Sequence, residues 1–157
     1  MPNSDPERWE ELYDRAFPQV YRALVAATLD PERALDGLHD AFEEGLRNPP
    51  DDDRNLEGWL YRVALRKTRR GIFRSFRETR MTELPADDPT ASVIRRLEVG
   101  RLLSFLTERQ RAIVVAHYYL GLTQEEIAQA LGVRRGTVSA TVSQSLARMR
   151  ERGASHA

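Results

Sequence analysis

The residues of this 157-residue chain that are equipped for chemistry are cationic and polar side chains set at helical spacing, and they do not form a catalytic constellation. Arg134 and Arg135 open a segment that continues with Thr137, Ser139, Ala140, Thr141, Gln144 and Arg148. Residues of these types, placed three or four apart, can reach phosphates and base edges in a major groove. A second set lies in LYRVALRKTRRGIFRSFRETR, where aromatics interleave with cations, a composition that tracks a phosphate backbone and can stack on bases. Catalysis finds no such support. His39, His117 and His156 lack ligand spacing, there is no glycine-rich phosphate loop, and Asp51, Asp52 and Asp53 stand in a proline-bounded loop without a paired base. The absence of cysteine removes thiolate metal sites and disulfides and fits a reducing cytoplasm. No enzyme activity, metal or cofactor is therefore expected.

The first set needs an element to present it. In LTQEEIAQALGVRRGTVSATVSQSLARMR, Thr123 can cap a helix whose first turn holds Glu125 and Glu126 and whose apolar positions are Ile127, Ala128 and Leu131. Gly132 ends it. Val138, Val142, Leu146 and Met149 then mark the inward stripe of a second helix, leaving the opposite face, with Thr137, Ala140, Thr141, Gln144 and Arg148, free. On spacing alone this is either a DNA-binding helix pair or a helical hairpin with a solvated outer face.

The second set stands out through charge segregation. The 24 basic and 24 acidic residues cancel overall. From Asp30 to Glu57, however, ten acidic residues face three basic ones, a balance of −7, and from Tyr61 to Arg80 eight basic residues face one acidic, a balance of +7. The basic helix can serve a polyanion or dock internally on the acidic segment before it.

The remaining elements are helical as well. Trp9, Leu12, Tyr13, Val20, Tyr21 and Leu24 predict a first helix, bent or interrupted near Pro18, where a backbone donor is missing. Asp30 and Pro31 read as the N-cap and first residue of a second, with Leu35, Leu38, Phe42 and Leu46 on one stripe. NPPDDDRNLEG breaks the pattern before the basic helix, which starts near Leu56 to Trp59. After ELPADDPTAS, Val93, Leu97 and Leu102, then Ile113, Val114 and His117, mark two more helices. No run alternates like a strand and none is apolar enough to span a bilayer. The amphipathic, acidic start MPNSDPERWEEL does not resemble a secretory signal. The expected fold is all-α, two small helical domains over 1–78 and 92–157 joined by a linker at 79–91.

LTERQRAIVVAHYYLGLTQEEIAQALGVRRGTVSATVSQSLARMRE resembles region 4 of bacterial sigma factors, whose helix-turn-helix reads the −35 promoter element. LYDRAFPQVYRALVAATLDPERALDGLHDAF followed by GWLYRVALRKTRR is similar to their region 2. With both blocks in order and only a short linker between them, residues 9–151 resemble a group IV, extracytoplasmic-function (ECF) sigma factor.

The resemblance implies a protein that binds core RNA polymerase, through the β′ clamp helices and the β flap, and directs promoter-specific initiation in the cytoplasm, with an anti-sigma factor as a candidate regulator and no membrane partner. On the matching positions, Asp36, Leu38, His39, Asp40 and Phe42 fall in the clamp-binding block, Leu38 and Phe42 reading more readily as core and Asp36, His39 and Asp40 as the interface. Trp59, Arg62, Arg66, Lys67 and Arg70 fall where the family captures the −10 element as single-stranded DNA, Trp59 being equally readable as a core anchor. Arg134, Arg135, Thr137, Ser139, Ala140, Thr141, Gln144 and Arg148 fall on the −35-reading helix. Departures gather at DNA-contacting places. NPPDDDRN sets three carboxylates where DNA must pass, Arg66 and Arg70 stand at or near positions where the family often has asparagine and aspartate, and Ser139, Thr141 and Gln144 stand where lysine and arginine are common. These departures keep an alternative open: a sigma-like DNA-binding regulator or decoy that retains partner binding without independent promoter opening. The proline-containing linker, poor in apolar residues, predicts halves that fold separately and move relative to each other.

Overall fold

Capping chemistry places the helix boundaries. The computed structural model describes residues 6–51, 55–75 and 98–154. These residues form α1 (Pro6–Thr28), α2 (Pro31–Arg47), α3 (Leu56–Ser75), α4 (Glu98–Leu103), α5 (Glu108–Tyr118), α6 (Gln124–Leu131) and α7 (Arg135–Ala154), with no strand among them. The chain leaves α1 through Leu29 at φ 54°, a left-handed turn that lets Asp30 start α2 at once. Asp30 Oδ1 accepts from the Arg33 N–H at 3.2 Å with Pro31 in the first turn, as the sequence implies. Asn55 Oδ1 accepts from the Gly58 N–H at 2.9 Å at the head of α3. Capping boxes open α5 (Thr107 with Gln110) and α6 (Thr123 with Glu126), and Gly132 at φ 65° closes α6.

Two expectations change. α1 is one 23-residue helix through Pro18, not interrupted there. Pro18 lies on the exposed face, where water can satisfy the freed carbonyl, while Trp9, Leu12, Ala16, Val20 and Leu24 keep both sides of it in one core. On α2, Leu46 is 57% exposed and the buried stripe runs instead through Ala34, Gly37, Leu38, Ala41, Phe42 and Gly45. Small residues lead this stripe because α3 packs closely. A Cβ at Gly37 would lie 2.6 Å from Thr68 Cγ2 and 2.9 Å from the Ala64 carbonyl oxygen.

The described residues of the two halves also meet: α1 packs along α5, and Tyr61 of α3 reaches it. Tyr61 Oη donates to the Ala112 carbonyl at 2.8 Å, and both ends are buried. Arg111 Nε donates to the Ala27 carbonyl at 2.8 Å and Nη1 to the Leu106 carbonyl at 2.6 Å. Arg33 Nη2 meets Glu108 Oε1 at 2.9 Å. The reason is α5 itself: Arg111, Ala112, Ile113, Val114, Val115 and Ala116 are all buried, so the middle of this helix is covered on every side. The expectation of loosely docked halves rested on the 79–91 linker, which lies outside the described residues, as do Val93 and Leu97.

Candidate nucleic-acid and polymerase interfaces

The helix-turn-helix is α6 and α7. Val138 and Val142 anchor α7 with Ser145, which is fully buried and donates its hydroxyl to the Thr141 carbonyl at 2.6 Å. Leu146 and Met149 complete the inward side as partly buried contacts. Arg134, Arg135, Thr137, Ser139, Ala140, Gln144 and Arg148 are all exposed, so seven of the eight residues assigned to duplex reading share a free surface. Thr141 is the exception. It is half-buried and its hydroxyl donates to the Thr137 carbonyl at 2.8 Å, which commits the side chain to the helix rather than to a base.

On α2, Asp36, His39 and Asp40 are exposed along one face, with Glu43 beyond them paired to Arg47 at 3.1 Å. The His39 ring lies 6.1 Å from that of Phe17. Leu38 and Phe42 do not join this face: Leu38 is fully buried and Phe42 is 7% exposed, its ring held edge-on to Trp9 at 6.5 Å. Both are core residues, and their assignment to a polymerase surface is corrected accordingly. They face inward because Gly37, Ala41 and Gly45 let α1 and α3 close over that side.

The α3 set is divided. Arg66 is exposed. Trp59 is half-buried, its ring 6.1 Å from Trp9, so it serves as a partial core anchor with one edge outward. Lys67 is half-buried and 3.6 Å from Glu44, which follows the internal-docking alternative for the basic helix. The Asn48 side-chain amide, with Lys67 and Arg47 behind it and desolvation opposing them, holds the Glu44 carboxyl below the ordinary glutamate value. Arg62 is half-buried and lines a small apolar cavity with Leu65, Ala130 and Leu131. The side chain of Arg70 and residues Asp52 to Arg54 lie outside the described residues; Asp51 is exposed.

The residues that sequence reasoning missed lie between the halves: Gly58, Tyr61, Arg111 and Ala112. The AIVVA run of α5 carried the signal, since a helix apolar on every side must be buried on every side. Burial depresses the Arg111 pKa from the ordinary arginine value, Glu108 opposing the shift and Arg33 reinforcing it. Tyr118 and Tyr119, 59% and 45% exposed at the end of α5, were also overlooked. Among the described residues no cluster of histidine and carboxylate is arranged to hold a metal, and no helix is long and apolar enough to cross a membrane.

An all-helical chain that ends in a helix-turn-helix with a buried inner stripe and a free polar outer face has the architecture of a DNA-binding transcription factor. The family described as Sigma-70, region 4, matches residues 96–149. The RNA polymerase sigma-E factor of Streptomyces coelicolor is 33% identical over 149 residues, 91% of this chain and 84% of that protein. Its counterpart in Streptomyces avermitilis is 34% identical, with 96% and 88% covered. Among solved structures, the sigma factor RpoE in complex with the anti-sigma factor NepR from Bartonella quintana matches at TM-score 0.73 and 17% identity, over 92% of this chain and 96% of that one. CnrH in complex with the cytosolic domain of CnrY matches at 0.71 and 20% identity, over 98% and 92%. At these identities the two structures speak for the fold alone. The chain belongs to the RNA polymerase sigma factors of the ECF type.

Proposed function

We propose that this chain binds core RNA polymerase through the exposed Asp36, His39 and Asp40 face of α2, reads a −35-type duplex with the outer face of α7, and uses the Trp59 and Arg66 side of α3 for the melted −10 strand. It acts by binding and positioning, without catalysis of its own. Residues 1–78 and 92–157 carry the two promoter-reading surfaces, and the β flap and an anti-sigma factor are the further partners. The observation that carries the reading is α7: its apolar stripe is spent on the core while Arg134, Arg135, Thr137, Ser139, Ala140, Gln144 and Arg148 are left exposed together.

Run-off transcription with purified core polymerase on genomic fragments is the test. Promoter-specific transcripts are expected from the parent protein. Asp36→Lys with Asp40→Lys, two exposed changes that should leave helical content unaltered, is expected to reduce co-purification with core by roughly tenfold, because like charge would then face a basic surface. Equal binding by the double variant would move the polymerase contact elsewhere. A second reading, a sigma-like regulator without independent promoter opening, is favoured by the ion pair that engages Lys67 with Glu44. Binding to core with no transcript from any fragment would select it.

A further inference from the structure

α2 and α3 lie against each other so closely that a Cβ at Gly37 would meet the Ala64 carbonyl oxygen at 2.9 Å. In that arrangement Lys67 Nζ of α3 stands 3.6 Å from Glu44 Oε2 of α2. The two side chains are 23% and 27% exposed, so water and salt screen this pair less than the exposed Glu43–Arg47 pair next to it. Asn48 Nδ2 donates to Glu44 Oε1 at 3.3 Å and helps to keep the carboxylate charged. The neighbouring Arg66, by contrast, is exposed. Two adjacent cations on the surface assigned to the melted strand are thus unequal, one open to solvent and one held.

We infer that Glu44 is a positioning residue for the −10 surface: it holds the Lys67 ammonium back from the phosphates of a bound strand, so that retention of the strand depends on base contacts rather than on charge. The inference rests on the reading of α3 as that surface. Phosphate contacts add affinity to every sequence alike, whereas base contacts discriminate. A further cation that reached the strand would therefore strengthen correct and incorrect sequences together. A factor whose task is to choose promoters gains selectivity by withholding it. The charge at 67 is neutralised within the protein rather than missing, so removing the carboxylate alone restores it.

The test uses the full chain in complex with core polymerase, with core alone as the baseline. It reads the binding of a fluorescein-labelled, mixed-sequence single strand of about fifteen nucleotides. Glu44→Gln keeps the size of the side chain and an oxygen for Asn48 but removes the charge that holds Lys67. It is expected to steepen the slope of log K against log salt by about 0.7 and to raise affinity roughly fivefold at about 0.1 M salt. Glu44→Gln with Lys67→Met is expected to return both quantities to the parent values, because the gain runs through the ammonium. A gain that survives in the double variant would overturn the inference, since loss of a repulsive carboxylate would then account for it. Glu44→Gln without a gain would overturn it as well, and a lowered melting temperature in that case would make the pair a brace between α2 and α3. Arg66→Met separates the role of Glu44 from the reading of α3. If Arg66→Met weakens strand binding while Glu44→Gln is silent, only the role of Glu44 falls. If Arg66→Met is silent too, or the parent complex binds the strand no better than core alone, the −10 reading falls and the role of Glu44 with it.

Discussion

Arg111 ends a helix that is not its own. α1 has no basic residue in its last turn, so the negative end of its dipole lacks a local cation. The Arg111 guanidinium, 84 residues further along the chain, meets the Ala27 carbonyl there and ties down the Leu106 carbonyl as well. Desolvation of a buried cation opposes this arrangement and two charge-assisted hydrogen bonds offset it. Arg111→Met should lower stability by about 2–3 kcal/mol, seen as a fall in melting temperature of about 4–12 °C. Arg111→Lys, which can reach at most part of the fork, should recover only a fraction of the loss. An unchanged melting temperature for the Met variant would mean that the two carbonyls find other donors and that the arginine is not what holds them.

At the scale of the element, the recognition helix lacks cations where the ECF resemblance leads one to expect them. Ser139 and Gln144 are both exposed on the outer face of α7, whereas Thr141 is half-buried and bonded to its own helix. Ser139→Lys with Gln144→Lys should therefore add two phosphate-reaching charges without touching Val138, Val142 or Ser145. Affinity for duplex DNA should rise across many sequences, and the slope of log K against log salt should steepen by up to about two units. A slope that does not move would turn this face away from DNA. The sequence announced this helix pair plainly because its signals are local: Thr123 with Glu126, Gly132, and a period near 3.6. Asp30 and Pro31 announced α2 in the same way. Pro18 misled, since a local rule about a missing donor does not register that residues on both sides of it are held in one core. Leu46 and Phe42 were legible as apolar but not as outside or inside. That choice is made by Gly37 and Gly45, through how closely α1 and α3 approach. Of the candidate sites, the α7 face was the most legible, and the α3 set the least, because Lys67 is held by Glu44 of α2 and Arg62 is half-buried beside a cavity shared with α6 residues.

At the scale of the whole molecule, the two halves are joined by contacts that owe nothing to the segment connecting them. Cutting the chain at an engineered protease site between residues 79 and 91 should leave both fragments eluting together on gel filtration, held by Tyr61 on Ala112, Arg111 on Ala27 and Arg33 on Glu108. Fragments that separate at micromolar concentration would show that covalent tethering, rather than the interface, keeps the halves in contact. The same contacts have a consequence for synthesis. Tyr61 precedes its acceptor by 51 residues, which at about 5–20 residues per second is a delay of roughly 3–10 seconds on the ribosome. During that interval the Ala27 carbonyl lacks its arginine donor and α3 has an uncovered apolar flank, so the first half emerges as a surface waiting for its lid. A nascent chain in that condition is a natural client for a ribosome-associated chaperone, and slow codons downstream of α3 would lengthen its exposure to aggregation.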